Sequence, residues 1–156
     1  MSRLQVMGVD ANASGKYRCG ISWRLSYAYT YEHIKKGEPM LSDTRPHTAT
    51  ARIAYDKDWN NYGLSVALTG RYLSELTTDV YTEMTSYEQT EKQTYPGYTI
   101  WKLSFAQRVC KGINITLVVD NLFNYRPDYY YSNSPSTTGT TFSAGLSLDI
   151  EQMFKK

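Results

Sequence analysis

Tyr17-Arg18-Cys19-Gly20-Ile21-Ser22-Trp23-Arg24-Leu25-Ser26-Tyr27-Ala28-Tyr29-Thr30-Tyr31 is the stretch whose reading decides the fold. Its odd positions are Tyr17, Cys19, Ile21, Trp23, Leu25, Tyr27, Tyr29 and Tyr31; its even positions are Arg18, Gly20, Ser22, Arg24, Ser26, Ala28 and Thr30. Successive side chains of a strand point to opposite faces. As a strand, this segment has one apolar and aromatic face and one small or basic face. A helix would scatter both sets around its circumference. The segment therefore reads as a long amphipathic β-strand.

The same split recurs along the chain. Tyr62, Leu64, Val66, Leu68 and Tyr72 alternate with Gly63, Ser65, Ala67, Thr69 and Arg71. Trp101, Leu103, Phe105 and Val109 alternate with Lys102, Ser104, Ala106 and Arg108. Ile113 to Asp120 and Thr141 to Ile150 behave alike, Thr48 to Tyr55 does so more weakly, and Leu4 to Ala13 adds a strand of ambiguous parity. The spacing predicts about seven antiparallel strands.

The connections carry a second signal. Ser14-Gly15-Lys16, Asp56 to Asn61 and Lys111-Gly112 read as short turns; His33 to Pro46, Ser74 to Gly97 and Asn121 to Gly139 read as long polar loops, and the two kinds alternate strictly. The long loops run to about 14 to 24 residues, against roughly two to five for ordinary hairpins. All 5 prolines fall in them, since proline cannot donate to a strand ladder. Short turns at one rim and long loops at the other is the arrangement of a transmembrane β-barrel.

Composition agrees. There are 15 Tyr, 4 Phe and 3 Trp, yet the mean hydropathy is −0.52. A soluble core draws mainly on Leu, Ile and Val, whereas aromatics suit strand ends at a membrane interface, with the ring among headgroups and the hydroxyl in water. Tyr27, Tyr29 and Tyr31 collect at one strand end, and Tyr55, Trp59 and Tyr62 at the other. Arg18, Arg24, Arg52, Arg71, Lys102 and Arg108 fall mid-strand on the polar side, natural positions for a water-filled lumen. No run of about 18 apolar residues exists for a membrane helix, so any crossing must use strands. The alternative is a small self-contained barrel, embedded in an outer membrane or soluble and ligand-binding.

Several classes find no support. A net charge of +2 offers no basic face for nucleic acid. Cys19 and Cys110 are far apart, and His33 and His47 do not flank them at zinc-site spacing, so neither a metal nor a cofactor is expected. No nucleophile and base can be assembled for an enzyme, and the start of the chain does not read as an export signal.

The last third carries a resemblance. Val118-Val119-Asp120-Asn121-Leu122-Phe123-Asn124 resembles the signature that follows the penultimate barrel strand of TonB-dependent outer-membrane receptors. Gly8-Val9-Asp10, Ser26-Tyr27-Ala28-Tyr29-Thr30 and Arg45-Pro46-His47-Thr48 are similar to three further segments of that family, in the same order. The resemblance covers essentially the whole chain, residues 1–156, as the C-terminal part of such a barrel without its plug domain. It implies short periplasmic turns, long extracellular loops and an incomplete barrel in the outer membrane of a Gram-negative bacterium.

As a fragment of a receptor for a scarce ligand, an iron chelate, cobalamin or an oligosaccharide, the chain is expected not to transport alone. The implied partners are outer-membrane lipid, the remainder of the parent barrel and its plug, the barrel-assembly machinery, and the TonB complex only through that plug. Ser143, Gly145, Leu148 and Ile150 fit the terminal assembly signal of the class. Loop aromatics Tyr81, Tyr87, Tyr95, Tyr125, Tyr129, Tyr130 and Tyr131 are the ligand-contact candidates; the other reading is that they pack the loops against one another. The lumenal arginines suit anionic ligands, or carboxylates elsewhere in the barrel.

Overall fold

The computed structural model describes residues 4–34, 42–81, 90–129 and 138–150. Within them lie β1 (Leu4–Lys16), β2 (Ile21–Ile34), β3 (His47–Trp59), β4 (Tyr62–Leu73), β5 (Leu76–Tyr81), β6 (Thr90–Tyr95), β7 (Tyr98–Cys110), β8 (Ile113–Asp120) and β9 (Thr141–Leu148). Seven of them form one sheet in the order β1-β2-β3-β4-β7-β8-β9, while β5 and β6 pair as a separate hairpin. Every pairing is antiparallel. The sheet is open: β1 and β9 are its two ends and do not pair with each other. Seven barrel strands and an incomplete barrel are thus what the described residues form.

The register makes each face a set of cross-strand rows. Trp23, Ile53, Leu68, Leu103, Val119 and Phe142 lie on one row of the apolar face. The neighbouring row on the other face holds Ser22, Ala54, Ala67, Ser104, Val118 and Ser143. Exposure separates the two: Ile53 is 60% exposed and Ala54, the next residue, 4%. Phe142, Leu146 and Leu148 are likewise open on the apolar face, while Ala67 is buried. Side chains crowd on the inside of a curved sheet and splay on the outside, so the sheet curls around its polar face. No second layer among the described residues covers the apolar face. A soluble barrel would bury that face inward; this one turns it outward, as lipid requires.

Two aromatic belts bound the apolar band. At the long-loop rim Tyr27 donates to or accepts from His47 Nδ1 at 2.7 Å, Tyr29 rests 4.9 Å from the same ring, and Tyr72 follows on β4. At the short-turn rim Trp59 and Tyr62 stand opposite each other with ring centroids 5.5 Å apart. Between these belts β3 advances from Ala49 to Trp59, about 33 Å of strand and about 25 Å along the membrane normal at a tilt of about 40°. That matches the height of a transmembrane apolar band, about 25 Å.

Three boundaries differ from the sequence expectation, each for a local reason. The first turn is not Ser14–Lys16, which ends β1, but Tyr17–Gly20. There Tyr17 N donates to Ile21 O at 2.8 Å and Gly20 N to Tyr17 O at 3.1 Å. Gly20 has φ +98°, and a Cβ on it would stand 2.2 Å from the Asp56 carbonyl oxygen. Gly15 serves a different purpose within β1: an added Cβ would stand 2.6 Å from Trp23 Nε1, so the missing side chain makes room for the indole. Arg18 is therefore a turn residue, not a mid-strand lumenal one. Asp56 to Trp59 belong to β3, leaving the two-residue turn Asn60-Asn61, where Asn60 takes φ 39°. Ser74 to Gly97 is not a plain loop but holds the β5–β6 hairpin, with Thr77 and Thr94 hydroxyls 3.0 Å apart across it.

Two measurements test the orientation. Trp23, Trp59 and Trp101 all lie on the apolar face, Trp23 near its middle and Trp101 one row from the long-loop belt. In vesicles of acyl-brominated lipid, the emission of Trp23 is quenched more strongly than that of Trp101 or Trp59; emission indifferent to bromine would reverse the faces. Ile53→Arg is expected to cost about 2–4 kcal/mol of stability in lipid, as midplane arginine does in barrels, and Thr50→Arg on the other face far less. Denaturant titration of vesicle-folded protein reads both.

Candidate functional site

The long-loop rim gathers side chains from distant parts of the chain around Arg45. This arginine is 4% exposed. Its Nη1 donates to the carbonyls of Ser74 and, at 2.9 Å, Pro96, which stand at the two feet of the β5–β6 hairpin. Nη2 donates to the Tyr129 hydroxyl at 2.9 Å, and the guanidinium lies 4.8 Å over the Tyr98 ring. Among the described residues no side-chain carboxylate pairs with it; a cation–π contact, two carbonyls and a phenol hold the charge, while Nε is buried without a hydrogen bond there. One residue thus fastens the 42–46 segment, the hairpin base and the connection after β8.

Aromatic rings complete the cluster. Tyr98 and Tyr125 stack with centroids 5.1 Å apart and planes 12° from parallel, and Tyr95 meets Tyr129 at 5.1 Å. Tyr95 and Tyr98 are buried; Tyr125 and Tyr129 are half-buried and present the open side. Around this core the 42–47 segment is laced to the hairpin. Ser42 N donates to Thr78 Oγ1 at 3.0 Å, His47 N to Ser74 Oγ at 3.1 Å, and Ser74 N to His47 O at 2.9 Å. The Ser42 hydroxyl also bonds Glu32 of β2.

The Asn121-Leu122-Phe123-Asn124 segment explains how Tyr125 is placed. Asn121 and Asn124 adopt φ 51° and 54°, a region that asparagine tolerates better than most residues. Asn121 Nδ2 donates to Tyr125 O at 2.7 Å, and Tyr125 N donates to Asn121 Oδ1 at 2.8 Å. Leu122 N donates back to Trp101 O at 2.8 Å, and Thr140 N donates to Asn124 Oδ1 at 3.1 Å, tying both ends of the last long connection together. The two asparagines turn the chain out of β8 and lay Tyr125 on Tyr98.

Of the tyrosines singled out in the sequence, the structure brings Tyr95, Tyr125 and Tyr129 together. Tyr81 ends β5, away from their ring contacts. Tyr87, Tyr130 and Tyr131 lie outside the described residues. Arg45 and Tyr98 were missed. Arg45 stood in a quoted segment, but its partners are backbone carbonyls distant in sequence, which no residue pattern announces.

The lumenal set divides similarly. Arg24, Arg52, Arg71, Lys102 and Arg108 share the inner face by register, and Arg18 does not. Lys102 pairs with Asp120 at 3.5 Å and Arg108 with Asp58 at 2.8 Å, both part-exposed. Of the assembly-signal residues, Ser143 and Gly145 face inward on β9, Leu148 ends that strand on the apolar face, and Ile150 follows it, exposed.

Tyr125 lies in the connection outside the bilayer, and its hydroxyl is pushed up to about 12 by burial first, then by its hydrogen bond to Tyr129 and the neighbouring phenols, with Arg45 pulling weakly the other way. A pKa raised in the folded state stabilises the fold below the unfolded value, near 10, and the contribution is lost as pH rises through the folded one. Difference absorbance at 295 nm between wild type and Tyr125→Phe is expected to show a phenol titrating near pH 12, with the cluster's stability intact up to pH 10. Titration near pH 10 would mean that the stack is open.

Comparison with protein families finds one match: the model of the TonB dependent receptor-like β-barrel aligns with residues 2–122. Comparison with curated proteins and with solved structures finds no match. The aligned stretch runs from β1 into the asparagine turn, so it covers six of the seven barrel strands described above and ends at Leu122, before Phe123 and Asn124. An open, outward-apolar sheet with long connections at one rim is the architecture that this match calls for, and the chain belongs to the TonB-dependent receptor-like β-barrel family.

Proposed function

We propose that this chain forms closing strands in the wall of an outer-membrane receptor of a Gram-negative bacterium, one that takes up a scarce ligand such as an iron chelate, cobalamin or an oligosaccharide. The observation that carries the reading is the sheet itself: apolar outside, polar inside, and open at both edges. A free edge leaves a row of N–H and C=O groups that hydrocarbon cannot satisfy. The 13-residue β1 and the 8-residue β9 are therefore seats for the remaining strands of a parent barrel. Barrels of about 22 strands enclose a plugged lumen, so the plug, and through it the TonB complex, would meet the polar face. Ser143, Gly145, Leu148 and Ile150 would be read by the barrel-assembly machinery.

The ligand end of this proposal is the long-loop rim. Tyr125 and Tyr129 offer ring faces at low entropic cost, held in place by buried Tyr95, Tyr98 and Arg45. Tyr81, five residues further out on the hairpin, and Tyr87, Tyr130 and Tyr131 of the adjoining connections join as candidates. The role is transport and not catalysis.

The chain reconstituted alone in liposomes is expected to give no saturable uptake of any such ligand. Uptake should require co-refolding with a remaining barrel and plug, and in that complex Tyr125→Ala with Tyr129→Ala should weaken ligand binding by about tenfold or more, as loss of central aromatics does. Saturable uptake by the chain alone would overturn the wall-segment reading.

A further inference from the structure

The inner face carries a second group of charges, remote from the tyrosine cluster. Arg24 of β2 stands directly opposite Arg52 of β3, and Ser14 of β1 stands opposite Arg24 on the other side. One row nearer the short-turn rim, Lys16 stands opposite Ser22 on the same face. These five residues, with Gly15 and Trp23 between them in sequence, line a cavity of about 360 Å³.

Like charges placed directly opposite each other destabilise an antiparallel pair. Elsewhere on this face the sheet matches Lys102 with Asp120 and Arg108 with Asp58, and leaves Arg71, which faces Thr50 and Ile100 and no second cation, without an ion pair among the described residues. Around the cavity, among the described residues, no carboxylate is within ion-pair distance of Lys16, Arg24 or Arg52, and the one side-chain hydrogen bond of Arg52 is a 3.4 Å contact to Thr69 Oγ1. Asp56, two rows from Arg52 on β3, is taken by the Ser65 hydroxyl.

We propose that this cavity binds a compact, multiply charged oxyanion. Two guanidinium forks can each present paired N–H donors to a phosphate or carboxylate, the Lys16 ammonium adds a point charge, and the Ser14 and Ser22 hydroxyls supply neutral donors. The volume suits a small solute and is within the ordinary range of ligand pockets. Bound there, the anion supplies the negative charge that the Arg24–Arg52 pairing lacks. The site lies toward the short-turn rim, so a solute admitted among the long loops would meet it after the tyrosines. This inference deepens the receptor reading by giving the lumen a class of solute, but binding is measured without transport, so its failure leaves that reading standing.

The test is calorimetric titration of the whole chain, folded in detergent micelles, with pyrophosphate in one arm and citrate in the other. Chloride and acetate at equal ionic strength are the controls. Saturable binding of either multivalent anion is expected, weakened about tenfold or more by Arg52→Gln, as loss of a charge-assisted hydrogen bond implies. The arm that binds more tightly tells a phosphate-bearing from a carboxylate-bearing solute. Arg52→Lys, which keeps the charge and the fold but loses the fork, should weaken binding several-fold, and Arg18→Gln in the turn should not change it. Arg52→Gln should also raise the melting temperature in the absence of anion, because it removes the like-charge pair; a purely structural arginine would lower it. An equal response to chloride, binding indifferent to both Arg52 variants, or capture of an acidic peptide but neither small anion would overturn the proposal.

Discussion

A peptide group inside hydrocarbon has no water to bond, so a strand that crosses a membrane must have a paired neighbour on each side. The rest of this structure depends on that constraint. It explains why the strands of the main sheet run as an unbroken antiparallel ladder, and why the prolines within the described residues stand outside the strands. It also makes the two free edges the feature that governs what the chain can do. An isolated open sheet with an exposed apolar face is driven toward strand addition at its edges. The edges are more than a structural remainder: each leaves a row of backbone donors and acceptors open to a further strand.

Pairing alone would be satisfied by any register. The apolar row of Trp23, Ile53, Leu68 and Leu103 removes that freedom, since a one-residue slip would turn lysine and arginine into lipid. Glycine and alanine then tune the surface locally. Gly15 accommodates the Trp23 indole, and the rings of Trp59 and Tyr62 close the short-turn rim. Lipid exposure, register and aromatic belts therefore enforce one another, and the height between the belts follows from strand length and tilt.

This mutual enforcement is why so much was legible in the sequence. Period-two alternation survives wherever one face meets lipid and the other water, so β2, β3, β4, β7, β8 and β9 could be read from their residues, and so could their faces. Legibility failed where that contrast fades. Around Tyr17 and Cys19 the alternation runs on by chance into a turn whose position is set by the positive φ of Gly20 and its contact with Asp56. Asp56, Lys57 and Asp58 look like a turn because they are charged, yet Asp56 and Asp58 face the polar interior, where Ser65 and Arg108 bond them, and Lys57 faces outward one row from the Trp59–Tyr62 belt. In the β5–β6 hairpin the buried face of β5 holds Leu76 and Thr78 and the exposed face Thr77, so threonine serves both sides, and with Asp79, Glu91 and Lys92 the segment shows no alternating hydropathy.

The candidate site obeys a different logic from the wall. The tyrosines could be picked out as loop aromatics, but what joins three of them is Arg45, and its bonds run to backbone carbonyls at Ser74 and Pro96. Such bonds require only that a loop carbonyl be in reach, so they leave no trace in residue type. The same arginine shows how the rim is organised. A buried guanidinium without a carboxylate partner keeps its charge only if several dipoles converge on it. Carbonyls from both feet of the hairpin and a phenol from the last connection do so together. Moving any one of these segments would withdraw part of that solvation from the charge, so the three connections over the lumen are energetically coupled through a single side chain. A ligand that displaced Tyr129 from Arg45 would therefore be felt at the hairpin base, whereas one that merely rested on the Tyr125 ring would not.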